Sequence, residues 1–112
     1  MVHWFLTMDL TPKQLQLGTF WRKFLRLTRS GVSSLRALEV IIEEESTADF
    51  RAVIQGLHDE IEAGFLMSEA MEKFPDDFSP SVLEMIRTAE KGGHWDIVVE
   101  ELSGGLLEGT FD

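Results

Sequence analysis

A chain of 112 residues, 44% of them hydrophobic, has the length of one domain and enough apolar side chains for one modest core. It has no cysteine, which excludes disulfides, thiolate nucleophiles and cysteine-based metal sites. Its formal net charge of -10 repels phosphate and excludes nucleic acid as the main partner.

That charge is unevenly spread. Residues 1–36 hold six bases against one acid, net +5, and residues 37–112 hold four bases against nineteen acids, net -15. A basic first third is therefore joined to a strongly acidic remainder.

Residues 1–10 are read as an N-terminal arm outside the folded domain: a disordered or appended segment, or a docking strip. The run Met1-Val2-His3-Trp4-Phe5-Leu6 is apolar but lacks the basic leader of a signal peptide. No stretch approaches the roughly 20 consecutive apolar residues of a spanning helix. Trp4 and Phe5 precede the first helix and are candidate interface aromatics, since such side chains anchor binding energy.

Thr11-Pro12 predicts the start of a first helix, with threonine as cap and proline at the first helical position. Leu17, Phe20, Trp21, Phe24 and Thr28 then share an inner face, and Arg22, Arg26 and Arg29 an outer one. Ser30-Gly31 stops this helix. Ser33 or Ser34 caps a second, with Leu35, Leu38, Ile41 and Ile42 inside. Glu43, Glu44 and Glu45 fall at its C-terminal end, where the helix dipole disfavours acids, so that end is expected to fray or to meet a cation.

Thr47 opens a third helix in which Phe50, Val53, Ile54, Leu57 and Ile61 keep the 3.6-residue period up to Gly64. A short fourth helix is expected with Ser68 as cap and Met67, Ala70, Met71 and Phe74 inside. Ser79-Pro80 repeats the cap-plus-proline start for a fifth helix, which carries Val82, Met85, Ile86 and Ala89 and breaks at Gly92-Gly93. A sixth carries Trp95, Val98, Val99, Leu102 and Leu106, its tail weakened by Gly104, Gly105 and Gly109. No alternating strand pattern or hairpin signal appears. The expected fold class is all-α: a compact antiparallel six-helix bundle over residues 11–107, with 108–112 as a frayed tail.

Signals for chemistry are sparse. His58, Asp59 and Glu60 invite a metal or acid/base reading, but successive helical residues diverge by about 100° each, which favours a solvated polar face. His94 is read as a local cap or surface contact. Ser30, Ser33, Ser68 and Ser79 are better explained as caps than as nucleophiles. No P-loop, dinucleotide fingerprint, nucleophile elbow or zinc spacing is present, and no cofactor is expected. The acids Asp76, Asp77, Glu90 and the Glu43–Glu45 run are candidates for calcium or magnesium, which prefer oxygen ligands, although none matches an EF-hand loop.

Four segments carry a family resemblance over about residues 15–107. Ser30-Gly31-Val32-Ser33-Ser34-Leu35-Arg36-Ala37-Leu38-Glu39 looks like an "AGVPLxxALE" turn, with Ser30 for alanine and Ser33 for proline. Gly64 to Met71 is similar to "GxSLSxAL". Phe74-Pro75 followed by Phe78-Ser79-Pro80 resembles "xxPxxFPxxxxxM". Ile86 to Trp95 resembles "IxxGExxGxL", with Ala89 for glycine and Trp95 for leucine. Together, in this order, they resemble the cytoplasmic domain of the type II secretion protein F family, which includes the inner-membrane platform proteins of type IV pilus assembly.

The resemblance implies a six-helix domain on the cytoplasmic face of the bacterial inner membrane, reached through membrane segments absent from this chain. It also implies a non-catalytic scaffold whose partners are an assembly ATPase, other platform proteins and, as a homodimer, a second copy. Arg22, Arg26, Arg29, Glu43, Glu44 and Glu45, with Trp4 and Phe5, are the candidate contact residues. The alternative is a small helical enzyme or divalent-metal protein using His58, Asp59 and Glu90. For Glu90 the favoured role is a cap on the N–H groups that start the sixth helix.

Overall fold

Thr11 and Gln14 form the first structural decision. The Thr11 hydroxyl accepts from the Gln14 N–H at 3.1 Å, and the Gln14 side chain accepts from the Thr11 N–H at 2.9 Å. This reciprocal cap starts helix α1, Pro12–Arg29, in the computed structural model, which describes residues 11–110. Five more helices follow: α2 Ser34–Glu44, α3 Ala48–Glu62, α4 Met67–Met71, α5 Pro80–Gly92 and α6 Trp95–Glu108. The described residues contain no strand, so the expected all-α class holds. Trp4 and Phe5 lie outside the described residues.

Serine caps do the work expected of them at two starts. Ser33 Oγ accepts from the Arg36 N–H at 3.2 Å, and Ser79 Oγ accepts from the Val82 N–H at 3.3 Å. Thr47 stands at the N-cap of α3 without a side-chain cap bond. At the other ends, Gly31 (φ 94°) and Gly64 (φ 103°) take left-handed backbone that a side chain would strain.

α1 packs most extensively against α6, α2 pairs with α3, and α5 with α6, while the short α4 bridges α3 to α5. The α1–α6 approach is close because Gly18 has no side chain: a Cβ there would lie 2.7 Å from Leu107 Cγ. Between the helices lies an aromatic core. Phe20 meets Trp21 edge-on at 4.9 Å between ring centroids and Phe50 at 5.8 Å, and Trp21 reaches Phe78 at 6.4 Å. Phe24, Leu38, Ile54, Leu57, Met71, Ile86, Val99, Leu102 and Leu106 are also fully buried.

Two boundaries differ from expectation. The cap of α4 is Leu66, not Ser68; Ser68 is buried in the first turn. The last helix ends at Glu108, beyond the glycines expected to weaken it. α6 continues through Gly104 and Gly105 to Glu108 because Leu102 and Leu106 are completely buried. Gly105 is itself buried and its carbonyl accepts from both the N–H and the hydroxyl of Thr110. Packing outweighs the roughly 1 kcal/mol that each helical glycine costs. No described helix is long and apolar enough to cross a membrane.

Candidate functional site

Arg22, Arg26 and Arg29 lie together, as their spacing predicts. They line an open groove between α1 and α6 that is floored by Leu25, Ser103 and Gly104 and edged by Glu100. Gly104 keeps that edge shallow, since nothing stands within 4 Å of where its Cβ would be. Arg29 is already engaged: its Nη2 donates to Glu100 Oε2 at 3.1 Å, and its Nε is 3.8 Å from Asp96. Arg22 and Arg26 are exposed and have no ion pair among the described residues.

The acidic run at the end of α2 belongs to another face. Glu44 meets Lys23 of α1 at 3.6 Å, and Glu43 meets Arg36 at 3.8 Å. The Glu45 carbonyl accepts from Arg51 Nε and Nη2 at 3.0 and 2.8 Å, and its carboxylate accepts from the Thr47 N–H at 3.0 Å. Each residue of this run thus lies beside a cation of the chain itself.

His58 departs most from expectation. It is buried at 8% exposure, not part of a solvated face, and it does touch its neighbour. Its Nε2 lies 2.9 Å from Glu39 Oε2 on α2, and its Nδ1 lies 3.2 Å from Asp59 Oδ1. Backbone vectors diverge along a helix, but the Asp59 side chain folds back far enough to close the gap. Gln55 steadies it, donating to Asp59 Oδ1 at 2.9 Å. Glu60 instead takes Lys73 at 2.6 Å. The Glu39 carboxylate, followed by Asp59, holds the His58 pKa above its usual value despite burial. His58 in turn lowers Glu39, while Gln55 and then His58 lower Asp59. Among the described residues, His58, Asp59 and Glu62 are the group whose ligand atoms lie within 4.8 Å of one another.

Glu90, Asp76 and Asp77 are not brought together. Asp77 pairs with Lys13 of α1. Glu90 is a cap, but for α4 and not for α6: its two oxygens accept from the Ser68 N–H at 3.0 Å and the Ser68 hydroxyl at 2.6 Å. His94 occupies the N-cap position of α6 without a side-chain cap bond.

Residues 20–108 match the family model for type II secretion system (T2SS), protein F. The chain belongs to this family. Its relatives include the type IV pilus assembly protein PilC of Thermus thermophilus, 25% identical over 95 residues, which are 85% of this chain and 23% of the relative. The type II secretion system protein F of Vibrio cholerae is 24% identical over 87 residues, 78% of this chain and 21% of the relative. The type 4 fimbrial assembly protein PilC of Pseudomonas putida is 28% identical over 87 residues, 78% of this chain and 22% of the relative. The chain thus spans less than a quarter of the length of these relatives.

Within this protein F domain, the four motif segments are the connections and their flanks. Ser30–Glu39 forms the α1–α2 turn, Gly64–Met71 leads into α4, Phe74–Pro80 joins α4 to α5, and Ile86–Trp95 joins α5 to α6. Glu90, from the fourth segment, binds Ser68, from the second. Glu90 thus ties the fourth segment to the second, and Arg22 and Arg26 lie outside all four segments.

Proposed function

We propose that this chain is a non-catalytic scaffold domain on the cytoplasmic face of the bacterial inner membrane, within a secretion or pilus-assembly platform. It binds the assembly ATPase, and other platform subunits, through the groove of Arg22 and Arg26. Membrane attachment belongs to segments outside these 112 residues. Family membership supports the setting. The observation that supports the surface is the pair of uncompensated arginines in a chain of net charge -10. Glu100 on Arg29 is an internal example of what this groove accepts, a carboxylate on a guanidinium. A second copy offers such carboxylates too, and a homodimer is part of the proposal.

The test is binding of the purified domain to the assembly ATPase by titration calorimetry, beside an Arg22→Glu/Arg26→Glu variant. Reversal of two interface charges is expected to weaken binding about ten- to hundredfold, with the far-UV spectrum unchanged. Wild-type affinity in a folded variant would exclude this groove. Sedimentation of the same two proteins reads the homodimer.

A further inference from the structure

His58 stands between two carboxylates. Nε2 faces Glu39 Oε2 at 2.9 Å and Nδ1 faces Asp59 Oδ1 at 3.2 Å. A neutral imidazole has one N–H, so whichever nitrogen carries it, the other turns a lone pair toward a carboxylate oxygen. Protonation to the imidazolium resolves this by giving both nitrogens an N–H; a metal ion can take the place of one of those protons, and a third ligand is already at hand. Glu62 follows His58 by one helical turn, and the ligand atoms of His58, Asp59 and Glu62 lie within 4.8 Å of one another. Bonds of about 2.0–2.2 Å to one ion place tetrahedral ligands a little over 3 Å apart, close to the His58–Asp59 separation.

The fourth residue gives the arrangement its direction. Glu39 comes from a different helix, and Arg36 holds it in place at 3.4 Å. When it accepts a hydrogen bond from Nε2–H it leaves the Nδ1 lone pair facing Asp59, as a carboxylate behind a metal-bound histidine does. His58 cannot turn away, because it is buried on α3, whereas Asp59 and Glu62 are exposed and leave an open path for an ion. One imidazole nitrogen with carboxylate oxygens suits zinc, nickel or copper, and not calcium or magnesium, which take oxygen alone.

We propose that His58 Nδ1, Asp59 and Glu62 form a site for a divalent transition-metal ion of the zinc class, with Glu39 as its hydrogen-bonded support. Three protein ligands leave a coordination position for water or for a side chain of a docked partner. The site shares no residue with the arginine groove, so it stands or falls independently of the platform reading.

Titration calorimetry of the 112-residue chain with zinc chloride tests this, with calcium and magnesium chloride in parallel. One zinc ion per chain is expected. Asp59→Asn and Glu62→Gln, both at exposed positions, should each weaken it at least about tenfold, and Glu39→Gln about ten- to hundredfold. Asp76→Asn should leave it unchanged. Nitrogen-15 spectra should show zinc moving the His58 Nδ1 resonance and not that of His94. Absence of zinc binding would overturn the proposal. So would equal affinity in Asp59→Asn, Glu62→Gln and wild type, or an equal response to calcium, either of which marks an adventitious ion on an acidic surface.

Discussion

At His58 the sequence spacing carries the burial of a residue but not its partner. Positions 54, 57, 58 and 61 are spaced i, i+3, i+4, i+7, so the period that places Ile54, Leu57 and Ile61 inward also places His58 on the edge of the core. The pattern held the burial; the partner, Glu39 on another helix, was not in it. Two opposed pH effects follow. His58 is raised, so its imidazolium stabilises the fold fully below its unfolded pKa of about 6.5, and this is lost as pH rises through the higher folded value. Glu39 and Asp59 are lowered, so their share is present above the unfolded carboxylate values of about 4 and is lost as pH falls through the lower folded ones. The stability that His58 adds over His58→Gln should therefore be greatest near pH 5–6 and smaller at pH 8.5. Urea unfolding with chelator present measures it, and a difference that stays flat between pH 5.5 and 8.5 would contradict the network. Gly18 gives a second expectation at this scale. Alanine there gains about 1 kcal/mol of helix propensity but forces a Cβ to within 2.7 Å of Leu107, where overpacking costs about 1–3 kcal/mol. Net destabilisation in the same urea assay is expected.

At the scale of elements, three of the six helix starts carry the side-chain cap the sequence signals, at Thr11, Ser33 and Ser79, two more begin after Thr47 and His94 without a cap bond, and the start of α4 shows why caps mislead in short helices. Ser68 follows a glycine turn and precedes apolar residues, which resembles a start. The chain instead begins α4 at Met67, with Leu66 N–H satisfied by Glu69 at 2.8 Å and Ser68 N–H by Glu90. A five-residue helix is too short to hold itself and takes its geometry from tertiary contacts, which sequence spacing does not carry. Glu90→Ala should leave the Ser68 N–H and hydroxyl without that acceptor and cost about 1–3 kcal/mol. Amide exchange should quicken first at residues 68–71, while the α1 amides change only with global stability. Uniform quickening across all helices would show that Glu90 supports the whole fold and not α4 in particular.

At the scale of the molecule, the split between a basic first helix and an acidic body was visible as counts, but its use was not. Three cations of α1 are spent internally: Lys13 on Asp77, Lys23 on Glu44 and Arg29 on Glu100. The sequence could not separate these from Arg22 and Arg26, because the acids that neutralise them come from α2, α6 and the α4–α5 turn. The two kinds of cation should respond differently to salt. Exposed internal pairs contribute about 0–1 kcal/mol each, so raising sodium chloride from 50 to 500 mM should shift the unfolding midpoint little. Association with an acidic partner depends on long-range attraction, screened beyond about 10 Å at 0.1 M salt, and should slow steeply over the same range. Removing the two uncompensated charges, Arg22→Ala/Arg26→Ala, should change stability by no more than about 0.5 kcal/mol and flatten the salt dependence of the association rate. Stopped-flow mixing with the assembly ATPase reads that slope directly. A slope as steep in the variant as in wild type would move the docking surface away from the α1–α6 groove.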